Sequence, residues 1–91
     1  MNKERRTSLS EVVVKLTAAQ EILDDAKNRI EFCRDDEQDA YDNLPESLQE
    51  GEKGDAMQEN IDALDEAFYN LDEMSDTIGE TIEKIQEAID R

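Results

Sequence analysis

Two apolar repeats with a seven-residue period constrain this 91-residue chain more than any other feature. Heptad positions are lettered a to g, with Leu9 as the first a. In the first repeat, ten of the eleven a and d positions are apolar and Glu37 is the exception. In the second, which starts at Met57, nine of ten are apolar and Ser75 is the exception. This spacing is typical of helices that pack along one seam, so each repeat predicts one long helix.

The stretch between the two repeats predicts a corner, because it holds residues that end and reverse helices. Pro45 disfavours helical geometry at the residue before it and suits the start of a new helical turn, while Gly51 and Gly54 free the backbone to reverse. Ser8 and Glu11 form a capping box that predicts the first helix start. The predicted organisation is a single domain of residues 1–91, with helices over about 9–44 and 56–90 and a corner over about 45–55.

The alignment of the two repeats predicts an antiparallel pair. If facing residues have numbers that add to 101, every a position of one helix meets a d position of the other. Cys33 then faces Phe68, and Ala26 faces Ser75. The first of these layers sets a small side chain against a large one, as interdigitating layers require. The predicted fold class is all-α, an antiparallel two-helix hairpin that resembles a coiled coil.

Apolar residues beside the seam make it wider than the two positions per heptad of a lone coiled coil. A wide apolar stripe is typical of a helix bundle. We therefore expect the hairpin to pair with a second copy and form a four-helix bundle. The residues predicted to mediate this self-association are Val13, Ile22, Tyr41 and Met74.

The net charge of −16 limits the partners that the chain can bind. Residues 35–91 hold twenty acids and three basic residues, which argues against direct contact with nucleic acid or an anionic membrane and favours a basic protein surface. The second helix carries a dense run of acids, which either contacts such a surface or only keeps the chain in solution. The residues predicted to contact a basic partner are Asp62, Asp65, Glu66, Tyr69, Asp72, Glu73 and Asp76.

Few residues could perform chemistry. Cys33 is the only cysteine and there is no histidine, which argues against an internal disulfide and a cysteine-based zinc site. The stretch Asp35–Glu46 spaces its acids like a calcium-binding loop, but Ala40 stands where that loop needs glycine. Glu37 has no acid–base partner in the predicted seam. We therefore predict no enzyme activity, no catalytic residues, and no cofactor or metal site.

The setting of the protein is indicated by its apolar segments and by a resemblance. No apolar run has the length of a signal peptide or of a membrane span, so a cytoplasmic location is predicted. The chain contains the segment "DDEQDAYDNLPESLQEGEKGDAMQENIDALDEA", in which "NLPESLQ" is the most distinctive string. This segment resembles the centre of small acidic helical proteins encoded by bacterial phages and prophages, a group without an established activity.

The resemblance implies a bacterial host cell as the setting, and it favours two functions. In the first hypothesis the protein binds and blocks a basic, nucleic-acid-binding protein of host defence. In the second it is a structural or assembly protein, and its acidity serves solubility.

Overall fold

The computed structural model describes all 91 residues, Met1–Arg91, and consists of helices without any strand. The all-α prediction is confirmed, and a long helix packs against another helix as expected. The helices are α1 (Lys3–Asp42), α2 (Glu46–Gln49) and α3 (Glu52–Asp90).

The chain divides into two compact units, each with its own contacts between α1 and α3. Unit 1 combines Met1–Asp25 with Leu71–Arg91, and unit 2 is the continuous segment Ala26–Asn70. α1 and α3 each contribute one segment to each unit. The corner between the helices belongs entirely to unit 2.

Helix α1 begins six residues earlier than the capping box predicts, at Lys3 rather than Leu9. The side-chain oxygen of Asn2 accepts a hydrogen bond of 2.9 Å from the backbone N–H of Arg5. This is the contact that an N-cap residue makes, so Asn2 caps the helix and Ser8 lies inside it.

The corner is tighter than the sequence predicts, because α2 occupies most of it and α3 already starts at Glu52. Pro45 stands at the N-cap of α2 with a non-helical ψ of 145°, and it disfavours helical geometry at Leu44, so α1 cannot continue into α2. The side-chain amide of Gln49 donates a 2.9 Å hydrogen bond to the carbonyl of Tyr41, which also accepts one from the backbone N–H of Leu44, so α2 is tied to the end of α1.

The glycines of the corner do not act as predicted. Neither has a positive φ, so the reversal does not depend on a left-handed backbone. Gly54 is buried, and a Cβ placed on it would overlap the backbone of Gln49. Gly54 is therefore required for the close approach of α3 to the end of α2, whereas a Cβ on Gly51 would meet its nearest atom at an ordinary 3.6 Å.

Unit 2 contains the buried apolar side chains of the protein. Met57 and Ile61 are buried on α3, and Ile61 is 1% exposed. Both occupy predicted seam positions, so the second heptad is correct at this end. Fully burying a side chain of this size stabilises a fold by about 1.5–3 kcal/mol. The apolar core of unit 2 is therefore small and lies next to the corner.

The most buried residue of unit 1 is polar. Ser75, the exception in the second heptad, is 7% exposed, and no apolar side chain of this unit is fully buried. The Ser75 hydroxyl donates a 2.9 Å hydrogen bond to Asp24, and the Ser75 carbonyl accepts one of 3.0 Å from Gln20. The polar break in the heptad is thus explained by partners on α1, which the sequence analysis did not identify.

The face that α1 presents to α3 is rotated from the predicted one. Positions a and e are half-buried, including Arg34 and Tyr41 at e, whereas Cys33 and Ala40 at d are exposed. The prediction that Cys33 is a core residue is wrong. The physical reason is that residues at e, such as Arg34 and Gln20, form hydrogen bonds with α3 that cysteine or alanine at d could not form.

The register of the two helices also differs from the predicted one. Ser75 bonds to Gln20 and Asp24, which precede its predicted partner Ala26 by six and two positions. The ammonium group of Lys27 lies 5.6 Å from the centre of the Phe68 ring, for which Cys33 is the predicted neighbour. The contacts of α1 are therefore shifted toward its N-terminus. The directions remain antiparallel within each unit, because higher numbers on α1 meet lower numbers on α3.

Candidate functional site

The residues of unit 2 predicted to contact a partner lie on α3 in one run of two turns. Asp62 and Glu66 are exposed, and Tyr69 is 66% exposed. Asp65 is half-buried because its carboxylate accepts a 2.8 Å hydrogen bond from the Nε of Arg34. Three of the four predicted residues are thus available to a partner, and the fourth already has a partner within the chain.

The remaining predicted acids belong to unit 1. Glu73 and Asp76 are exposed, whereas Asp72 is half-buried. All three lie outside positions a and d, so charge on them does not oppose the packing of α3 against α1. They remain predictions as contacts for a partner.

A groove of about 320 Å³ on unit 2 brings charged and aromatic groups together. It lies between α1 and α3, and both helices contribute three side chains to it. Its six lining residues are Glu31, Arg34, Asp35, Asp65, Phe68 and Tyr69. Three carboxylates and one guanidinium give it a net charge of −2, so its field favours cations.

Arg34 is fixed in the groove by carboxylates on both helices. Its Nε lies 2.8 Å from Asp65, and its terminal nitrogen lies 3.5 Å from Asp35. The hydrogen bond to Asp65, with the charge of Asp35 as a smaller contribution, raises the pKa of Arg34 above its ordinary value. A guanidinium is charged at every physiological pH in any case, so what the two acids add is a fixed position for it.

Two aromatic rings form the other part of the groove. Phe68 and Tyr69 contact each other edge to face, with ring centres 5.8 Å apart and planes at 83°. The ammonium of Lys27 lies over the Phe68 ring at 5.6 Å, within the distance of a cation–π contact. The rings and acids of this groove thus already hold two cations of the chain itself.

The residues predicted to mediate self-association differ in exposure. Ile22 is 69% exposed and Met74 is 53% exposed, both in unit 1. Both of these residues occupy position g of their helices. On the opposite positions, Gln20 approaches Gly79, and both of those residues occupy position e. Because e and g lie on opposite sides of a helix pair, Ile22 and Met74 lie on the same side of unit 1. Val13 and Tyr41 are half-buried and offer less surface.

Several notable surface residues lie outside the predicted partner-contact set. Glu31, Arg34 and Asp35 line the groove, although none of them was predicted to contact a partner. The available signal was that Arg34 and Asp65 both occupy position e, where an antiparallel pair brings opposite charges together. Phe32 is 68% exposed and was also overlooked, because at position c it belongs to neither predicted surface.

The features considered for chemistry have ordinary structural settings. Helix α1 continues to Asp42, so most of the calcium-loop spacing lies on a helix and not in a loop. Glu37 accepts a 2.9 Å hydrogen bond from the amide of Asn60. No group of three or more His, Cys, Asp or Glu side chains is placed to hold a metal ion.

Comparison with known proteins places the chain in no group. No protein-family model, curated protein or solved structure has a significant match to it. The resemblance to phage-encoded proteins therefore stays a prediction. No helix has an apolar stretch of the length needed to cross a bilayer.

Proposed function

We propose that the protein is an acidic interaction module that binds a basic surface of another protein and blocks it. The observation that carries the proposal is the run of exposed residues on α3 of unit 2, where Asp62, Glu66 and Tyr69 adjoin the acidic groove. Unit 2 holds fourteen acids and four basic residues, so its field attracts a positively charged surface.

Helical geometry supports this role because it fixes the acids before the partner arrives. The apolar residues of α3 at positions a and d face α1, which leaves carboxylates on the outer positions. A partner then loses little binding energy to the ordering of the surface that it recognises. The proposed module performs no reaction and acts by occupying the partner's surface.

The partner class that fits the phage-type resemblance is a nucleic-acid-binding protein of host defence. Such a protein carries lysine and arginine side chains that normally contact phosphates. Carboxylates on α3 would compete for the same side chains. A DNA duplex is then expected to displace the acidic protein from its partner. A partner whose basic surface does not bind nucleic acid would not be expected to respond to DNA in this way.

The first experiment identifies the partner. The tagged chain is used to capture proteins from a bacterial lysate at low and at high salt, and the bound proteins are identified by mass spectrometry. We expect a basic protein that is retained at low salt and lost at high salt, because salt screens charge attraction. A purified partner with an affinity that is indifferent to salt would contradict the proposal.

The second experiment uses two variants of equal charge. One reverses exposed acids of α3 to lysine (Asp62, Glu66, Glu73 and Asp76), and the other reverses exposed acids of α1 (Glu11, Glu21, Asp36 and Asp39). Each reversal of four acids changes the net charge from −16 to −8. Asp65 is left intact because it bonds to Arg34.

We expect the α3 variant to lose the partner while the α1 variant keeps most of its affinity. Circular dichroism checks that both remain helical. Equal losses in the two variants would show that only total charge matters and would contradict a specific acidic face.

A second candidate function is supported by the burial pattern of unit 1. This unit has no fully buried apolar side chain, yet it exposes Ile22 and Met74 on one side. Self-association into a four-helix bundle would cover them and would make the protein a structural or assembly component. Sedimentation equilibrium tests it, since a monomer at high micromolar concentration would contradict a bundle.

A further inference from the structure

The groove on unit 2 has a more specific chemistry than the acidic face around it. We propose that it accepts an arginine side chain of the basic partner, with the guanidinium against the ring of Tyr69 and hydrogen-bonded to the carboxylate of Glu31. This inference rests on the proposed function and names the group that the partner inserts. Tyr69 is well suited to that contact, because it lines the groove and two thirds of its surface is exposed.

The contents of the groove indicate the class of ligand. Arg34 already lies against two of the carboxylates, and Lys27 already lies over the ring of Phe68. These two cations approach different groups, one acidic and one aromatic. Both kinds of group in the groove thus hold positive charge within the chain itself, while Glu31 and Tyr69, which also line it, are exposed.

Other ligand classes fit the groove less well. The net charge of −2 repels anions. A metal ion would need more ligands than it would find, because no group of three or more acids, cysteines or histidines is placed to hold one. A lysine ammonium is a strongly hydrated point charge, whereas a guanidinium is planar, stacks on an aromatic ring and donates in a fork to a carboxylate. Arginine is therefore the side chain that can use both the carboxylate of Glu31 and the ring of Tyr69.

The test compares two peptides of equal charge, hexa-arginine and hexa-lysine, by isothermal titration calorimetry at low salt. Charge attraction alone would bind both peptides equally well. We expect the wild-type chain to bind hexa-arginine more tightly. The Tyr69→Ala variant should weaken binding of hexa-arginine by about two- to fivefold, which is the loss of an exposed cation–π contact, and should remove the preference between the peptides.

Two further variants separate the groove from general surface effects. Phe32 is as exposed as Tyr69 and belongs to the same unit but lies outside the groove, so Phe32→Ala is the matched control and should change neither affinity. Tyr69→Phe keeps the ring and should keep most of the preference. Glu31→Gln should reduce the affinity for hexa-arginine more than for hexa-lysine. Circular dichroism establishes that each variant is folded.

The outcomes distinguish this inference from the proposed function. Salt-sensitive binding of both peptides with equal affinity, unaffected by Tyr69→Ala, would overturn the arginine groove and leave the acidic face intact. Equal effects of Tyr69→Ala and Phe32→Ala would overturn it as well. The absence of binding by either peptide at low salt would overturn both proposals, because neither charge nor the ring would then attract a cation.

Discussion

Ser75 and Asp24 are joined by a hydrogen bond of 2.9 Å, and the carbonyl of the same serine accepts a second bond from Gln20. Because Ser75 is buried, the loss of its hydroxyl removes one hydrogen bond from the half-buried carboxylate of Asp24. We expect Ser75→Ala to lower the free energy of unfolding by about 0.5–1.5 kcal/mol. Urea denaturation followed by circular dichroism measures this change.

A double-mutant cycle provides the control for the Ser75 prediction. Asp24→Ala alone is expected to cost more than Ser75→Ala, because Asp24 also has other interactions. Together the two substitutions should cost less than the sum of the single ones by about 0.5 kcal/mol or more. Strict additivity would show that the hydrogen bond does not contribute to stability.

The corner should tolerate a methyl group at Gly51 and not at Gly54. A Cβ at Gly54 would overlap the backbone of Gln49, so Gly54→Ala requires α2 and α3 to move apart. Overpacking of this kind costs about 1–3 kcal/mol. Thermal denaturation should therefore show a clearly lower midpoint for this variant.

The matched control in the corner is Gly51→Ala, whose Cβ would make only ordinary contacts at 3.6 and 3.7 Å. We expect a change of less than about 0.5 kcal/mol for this substitution, because the half-buried Gly51 has room for a methyl group. Similar midpoints for the two variants would mean that the close approach at Gly54 does not restrict the corner.

Self-association, if it uses the Ile22–Met74 side of unit 1, should be sensitive to polar substitutions there. The double variant Ile22→Asn, Met74→Asn removes two exposed apolar side chains and is expected to shift sedimentation equilibrium toward the monomer. The control is Val14→Asn, because Val14 is as exposed as Ile22 but occupies position f, away from that side. An assembly that responds only to Val14→Asn would place the interface elsewhere.

Cys33 should react with a thiol reagent in the folded protein. Its side chain is exposed, so labelling does not require the helices to separate. The rate at which a disulfide reagent labels Cys33 in buffer should be comparable to its rate in urea. Both rates are first corrected for the effect of urea on the reactivity of the reagent itself. Strong protection in buffer would instead support the packing against Phe68 that the a/d register predicts.

The helices themselves were predictable because their signal is local and repeated many times. Each apolar residue of α3 at position a or d adds to the same pattern, and Met57 and Ile61 are buried as that pattern requires. Pro45 marks the end of α1 within a few residues for the same reason, since its effect on the backbone is independent of the fold.

The details of packing were less predictable because they depend on pairs of residues that are far apart in the chain. The hydrogen bond between Arg34 and Asp65 rotates α1 toward position e, yet each residue alone is an ordinary surface charge. Asn2 as the cap was overlooked because the Ser8–Glu11 pair has the stronger sequence signature. The groove was not predictable for the same reason, because its lining side chains come in equal number from two helices that are far apart in the chain.

The buried apolar side chains lie only in the part of α3 next to the corner, and this has a consequence for folding order. Met57, Ile61 and Gly54 lie in unit 2, which is one continuous segment of the chain, so loop closure costs little entropy and this end is expected to nucleate first. The bond between Ser75 and Gln20 spans 55 residues and forms later. Amide hydrogen exchange in the native protein should therefore be slowest around Ile61 and fastest near the chain ends, with unit 1 opening as a separate foldon.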